Sequence, residues 1–223
     1  MSRRVWLLLG SIVLIVNAVQ WVVAEAVTAA AWTDPSYSYA TNFISDLGVP
    51  DCGTQFQGRA ICSPLHPLMN ASFIAQGILF ALGVVLLSRL AEGRTRRTLV
   101  ALAGTHGVAF VLVGLFHGSP DGPDSGLVIH IAAAGVGILC ANTVAILAGA
   151  TRGLGLPMAY RRFSIAVGVL GIASEALVNL SADTAGLFER GGVYSWLLWG
   201  LVTGVLLVVK DRRTVAVGQN VAV

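Results

Sequence analysis

His66 and Asn70 stand four residues apart, Glu175 and Asn179 repeat that spacing, and His117 follows His106 by eleven. On a helix each of these spacings puts the pair on one face. Glu25 and His130 complete a set of ionisable and carboxamide groups set into apolar sequence. Imidazole beside carboxylate is the equipment of general acid–base catalysis. Histidines with neighbouring carboxylates are also ligand types for Zn²⁺, which can activate a water for hydrolysis. The spacing signal for metal is weak, because no HxxxH, HExxH or close Cys/His cluster occurs. A zinc site would need His66, His117 and His130 to converge from three separate helices. No Walker, dinucleotide-binding, haem-attachment or nucleophile-elbow motif is present.

The elements that must position these groups follow from composition. The chain has 223 residues, 56% hydrophobic and only 11% charged. Soluble domains carry about 25% charged residues, so there is too little charge here to cover a water-facing surface. A net charge of +3 also gives no reason to expect a nucleic-acid partner. Crossing a bilayer core takes about 20 apolar residues. Six stretches meet that need, at 5–32, 67–88, 98–117, 126–150, 163–181 and 193–209. Each is expected to be helical, because a lone segment in lipid must satisfy its own backbone. The opening "MSRR", its apolar run and "AEAVTAAA" resemble a secretory signal peptide. The run is longer than a signal core, so the first span is expected to be retained.

The connecting segments alternate sides. One set holds Arg3, Arg4, Arg89, Arg94, Arg96, Arg97, Arg152, Arg161, Arg162, Lys210, Arg212 and Arg213; the other holds only Arg59 and Arg190. Twelve against two predicts cytoplasmic N and C termini by the positive-inside rule, with 210–223 a cytoplasmic tail and 33–66 outside.

Cys52 and Cys62 then share an oxidising compartment, where a disulfide is expected. Cys140, inside the fourth span, reads as a small buried residue. Trp32, Tyr37, Tyr39 and Phe43 read as interfacial anchors. Asn42 and Ser45-Asp46-Leu47-Gly48 read as turn or helix-cap chemistry. With its disulfide, this long segment is expected to be an ordered cap over the outer mouth of a helix bundle.

Ionisable groups in lipid are costly, and this set lies in the outer half of the spans or, for His106, at mid-depth. Glu25, His66, Asn70, His106, His117, His130, Glu175 and Asn179 are therefore expected to line one outward-facing polar cavity, with Asp121, Asp124, Glu189 and Arg190 in the outer loops. One reading is a protein that binds a lipid or apolar small molecule there, alone or in an envelope complex. The alternative is an intramembrane lipid-directed hydrolase or transferase with a His/carboxylate site, with or without zinc. The plainest reading is structural: Glu25 or Glu175 pairs with Arg59 or Arg190 and pins the cap. Replacement of Glu175 by Leu is expected to cost about 1–3 kcal/mol through unsatisfied donors. The Gly200–Gly204 pair suits close helix packing within the chain or in a homodimer.

"YSYATNFISDLG", "CSPLHPLMNASF", the histidines flanking the third outer turn and "FERGGVYSWLLWG" resemble a bacterial family of multi-pass membrane proteins of unknown function, DUF998. The resemblance runs over essentially the whole chain. It implies an all-α integral membrane protein of the bacterial cytoplasmic membrane. The expected fold is a single six-transmembrane-helix bundle over 1–223, with an ordered extracytoplasmic cap between helices 1 and 2. It implies no particular chemistry.

Overall fold

Apolar runs of this length form helices in the structure, a computed structural model that describes residues 2–50, 52–56, 58–118, 125–152 and 154–220. The helices are α1 (Arg3–Ala31), α2 (His66–Ser88), α3 (Gly93–Leu115), α4 (Ser125–Ala150), α5 (Met158–Leu177) and α6 (Ala185–Asn220). Four of these (α1 to α4) and the segment Ala182–Arg212 are long and apolar enough to cross a membrane. Helix α5 is the exception, because its 20 residues hold Arg161, Arg162 and Glu175. The six expected spans thus become five by length and composition, with α5 a further helix of the same bundle. Helix α6 also continues through the segment expected as a tail.

Local chemistry sets the helix starts. Ser2 caps α1 by accepting from Val5 N at 3.4 Å. A proline opens the first turn of α2, and Pro157 sits at the N-cap of α5, where a missing N–H costs nothing. Each helix packs on its neighbour in sequence, and α6 closes the ring against α1 and α5 while touching α4. A Cβ on Gly204 would stand 2.6 Å from Ser11 O, so this glycine lets α6 approach α1 of its own chain. The bundle centre is aromatic. Trp21 lies 5.3 Å from Phe73 and 6.0 Å from Trp196, and His106 stacks 4.6 Å from Phe110, all between ring centroids. Tilted and edge-to-face rings suit their quadrupoles.

The two ends of the bundle differ. One carries basic residues: Arg4 pairs with Asp211 at 2.9 Å, Arg89 lies over the Trp6 ring, and Lys210 Nζ donates to Gly155 O. The other is covered by the segment between α1 and α2. A 3₁₀ turn at Ser45–Gly48 buries Asp46 and Leu47. An antiparallel hairpin of β1 (Cys52–Phe56) and β2 (Arg59–Cys62) follows, with Cys52 opposite Cys62 and the two joined by a disulfide. Trp32, Ile44, Leu47, Val49 and Ile61 are buried and belong to the main apolar core, so this layer is an extension of the bundle. The hairpin was not expected from the sequence.

Candidate functional site

Two polar clusters lie beneath the covering layer, on adjacent residues of α6. The first centres on Arg190. Its Nε donates to Glu25 Oε1 on α1 at 3.0 Å. Its Nη1 donates to Tyr39 O and Asn42 O at 2.9 Å each and to Gly186 O at 3.0 Å, and its Nη2 donates to Tyr37 Oη. The second oxygen of Glu25 accepts from Trp21 Nε1 at 3.2 Å and from Tyr194 Oη at 2.9 Å. Trp21 and Tyr194 each stand four residues from a member of the ion pair, so helical geometry supplies them. Glu25 and Arg190 are 1% and 5% exposed, and both are fully provided with partners. A Cβ on Gly186 would stand 2.3 Å from Asn42 O, so the covering layer rests on bare α6 backbone there. Tyr37 Oη also donates to Phe43 O at 2.8 Å. Burial pushes the Tyr37 phenol above its ordinary value against the opposing pull of Arg190, so it stays a neutral donor.

A second ion pair holds the hairpin. Arg59 Nε and Nη2 reach the two Asp46 oxygens at 2.7 and 2.9 Å. Asp46 Oδ2 also accepts from Asn42 Nδ2 at 3.2 Å and Phe43 N at 3.0 Å.

The second cluster surrounds a cavity of about 290 Å³ between this layer, α4, α5 and α6. Its polar wall is Ser45, Asp46, His130, Glu175, Asn179 and Glu189; Phe43, Leu127, Ile131, Ile138 and Val178 supply apolar surface. Helices α4 and α5 are in close contact where Ser164 Oγ donates to Ala145 O at 2.6 Å and where Gly171 meets the Asn142 amide. Beyond Asn142 the facing residues are Ile138 and Glu175, and the cavity begins. His130 Nδ1 lies 3.2 Å from Val113 O and 2.5 Å from Phe116 O, at the C-terminus of α3. Two carbonyls there assign Nδ1 as the donor, which leaves Nε2 as the lone-pair nitrogen of the neutral ring. Glu189 Oε2 accepts from Ile44 N. Glu175 Oε2 is buried and has no hydrogen-bond partner among the described residues.

The expected eight-residue cavity is therefore divided. His130, Glu175 and Asn179 meet, joined by Ser45, Asp46 and Glu189. Glu25 and Arg190 form the neighbouring ion pair. His66 Nδ1 lies 3.1 Å from Ser63 O, Asn70 Nδ2 donates to Gly48 O at 2.9 Å, and His117 Nδ1 lies 3.0 Å from Gly118 O. His106 is wholly buried at mid-bundle, its Nδ1 2.8 Å from Gly137 O and its Nε2 3.1 Å from Gln76 Oε1. Among the described residues no three His, Cys, Asp or Glu side chains form a metal-binding group, so His66, His117 and His130 do not make the triad a zinc reading needs. Asp121 and Asp124 lie outside the described residues. Gln76, Asn142, Tyr37 and Tyr194 carry polar contacts the sequence reading did not assign; for Tyr194 the signal was its four-residue spacing from Arg190.

Residues 15–206 match a family described as a protein of unknown function, DUF998. The chain belongs to DUF998. No curated protein and no solved structure matches it. The DUF998 match runs from α1 into α6 and so takes in the covering layer, both of its buried ion pairs and the cavity. It brings a membrane architecture to the chain and no reaction.

Proposed function

We propose that this DUF998 protein is a six-span membrane protein whose capped cavity holds the hydrogen-bond-donating head of a lipid or apolar small molecule. The observation that carries this reading is Glu175 Oε2, a buried acceptor without a partner among the described residues, on the wall of an open space. Leaving such a group unmatched costs about 1–3 kcal/mol. A hydroxyl or ammonium on a bound molecule offsets that cost. The apolar side of the cavity suits the rest of such a molecule, and Ile131, which lines it, is 56% exposed on the bundle surface. Entry from the hydrocarbon phase follows from that geometry.

The charges of α5 are consistent with a sixth span. Arg161 lies at its first turns and donates to Gly149 O and Ala150 O, while Glu175 turns to the cavity at its other end. Arg162, exposed beside Arg161, belongs to the same end, so none of the three charges needs to face lipid at mid-depth. The basic end of the bundle is cytoplasmic on the positive-inside rule, which puts the cap outside. Cysteines introduced at 35–60 should label from outside and those at 91–96 should not; the opposite pattern reverses the orientation.

Native mass spectrometry of protein purified from membranes tests the cavity. Wild type should retain an amphiphile that Glu175→Leu loses. Equal retention by both proteins overturns the reading. One observation favours a second reading, hydrolysis or acyl transfer on a lipid: His130, oriented by the end of α3, shares the cavity with Glu175. Turnover of a retained lipid by wild type, abolished in Glu175→Gln, would select it.

A further inference from the structure

On another face of the bundle an apolar groove runs between α3 and α4, from Val100 near the basic end to Leu112 and Ile129. Val100, Ala101, Gly104 and Val108 line it on α3, and Ala132 and Val136 on α4. Gly104 meets nothing: a Cβ built there finds no atom within 4 Å. The lining is almost entirely apolar and Val108 is 63% exposed, as expected for a surface that lipid chains cover. From Val100 to Leu112 the helix rises about 18 Å. One leaflet of hydrocarbon is about 15 Å deep, so the groove has the length of an acyl chain.

The groove has a charged mouth. Val100 and Ala101 also line the adjoining depression, whose other walls are Gly93, Arg96 and Arg97. Arg96 and Arg97 are exposed and make no side-chain hydrogen bond or ion pair among the described residues. Over 89–97 four arginines stand beside one acid, Glu92. A second apolar groove, between α1 and α6 at Val19, Val22, Leu197 and Leu201, has no basic residue in its lining. Neither groove has a basic residue in its own lining, and what marks the α3–α4 groove is the Arg96–Arg97 depression that shares Val100 and Ala101 with it.

We infer that the α3–α4 groove is a site for one anionic phospholipid, with an acyl chain along Gly104 and the phosphate at Arg96 and Arg97. Guanidinium is well suited to phosphate because its planar fork bonds two oxygens at once. The groove and the Glu175 cavity have separate linings on α4, the phosphate end of the groove lies at the basic end of the bundle, and the site does not depend on what that cavity binds.

The test uses the full-length protein in detergent with added phosphatidylglycerol or phosphatidylcholine, and native mass spectrometry to count retained lipid. A basic residue near an anionic head group is worth roughly a factor of five, so the pair should favour phosphatidylglycerol by about 30-fold. The double variant Arg96→Gln/Arg97→Gln should abolish that preference, and Gly104→Leu should lower retention of both lipids by filling the groove. Both changes are at open positions, and an unchanged melting temperature in lipid-free detergent verifies folding. Equal retention of the two lipids by wild type overturns the inference. So does a preference that survives the double variant. Disulfide-linked dimers from Gly104→Cys, formed in phosphatidylglycerol bilayers, would assign the groove to a second copy of the chain and also overturn it.

Discussion

Glu189 and Arg190 are neighbours on α6, yet they enter two clusters that treat buried charge in opposite ways. On the Arg190 side each charged group is matched: the guanidinium meets Glu25, three backbone carbonyls and Tyr37, and Glu25 also meets Trp21 and Tyr194. On the Glu189 side, Glu175 Oε2 has no partner among the described residues and faces a cavity. A closed network specifies a structure and leaves no valence for a ligand. An open one keeps a cost in the empty state that binding can remove. The comparison separates the anchor of the cap from the candidate site, although residue types alone make the two look alike.

The largest effect should come from breaking the anchor. Arg190→Ala leaves Glu25 buried and uncompensated and strips three carbonyls of a donor. Removing one member of a buried pair costs about 3–5 kcal/mol. Denaturant or thermal unfolding in detergent should show that loss, and Arg190→Met with Glu25→Leu should recover a large part of it. A loss for Arg190→Ala no greater than that of an exposed surface change would contradict the anchor.

Next is the disulfide, which acts on the cap alone. Cys52 and Cys62 are ten residues apart, and a closed loop of that size stabilises by about 2–3 kcal/mol. Cys52→Ser with Cys62→Ser should loosen the hairpin and speed proteolysis near residues 50–62, with α1–α6 retained. Peptide mapping without reductant should show the linked pair and a free Cys140. Uniform unfolding of the bundle would make the cap inseparable from it.

Within the anchor, Tyr194→Phe tests completeness. It removes one of two donors to Glu25 Oε2 and should cost about 1–2 kcal/mol. The loss should vanish in a Glu25→Gln/Arg190→Met background if the bond works through the pair, and persist if Tyr194 acts by packing.

Much of this architecture was legible in the sequence. Apolar run length gave the helices, because lipid leaves the backbone no alternative. Cysteine spacing gave the disulfide. Of the four histidines expected at one cavity, His130 lines it, and His66, His106 and His117 have polar contacts elsewhere. Periodicity fixes the face of a helix but not which carbonyls lie beside it. His66 and His117 flank helix ends and each Nδ1 lies beside a loop carbonyl, Ser63 O or Gly118 O, while His130 reaches the carbonyls that end α3, where C=O groups lack helical partners. His106 lies where helices cross, so its partners come from α2 and α4. The hairpin was missed because "CGTQF" and "RAIC" are short and their pairing was read only as a disulfide loop. The split between Glu189 and Arg190 was not legible, since it depends on the angle at which α6 crosses the cap.

The smallest effect, and the one of opposite sign, belongs to Glu175. Had its oxygens been paired, Glu175→Leu would cost about 1–3 kcal/mol, as the sequence reading expected. The geometry argues for the other sign, because among the described residues no donor is left unsatisfied when Glu175 Oε2 is removed. Glu175 is half-buried and its Oε2 is the buried atom, so replacing this side chain by an apolar one of similar size is neutral or stabilising. Delipidated Glu175→Leu should therefore unfold within about 1 kcal/mol of wild type, on the stable side. The order should change when the native amphiphile is returned: a ligand that binds only the folded state raises wild-type stability with concentration. The variant, lacking the acceptor, should show a much smaller rise. A clear destabilisation of delipidated Glu175→Leu would place Glu175 among the structural residues with Glu25, and the contrast between the two clusters would fail.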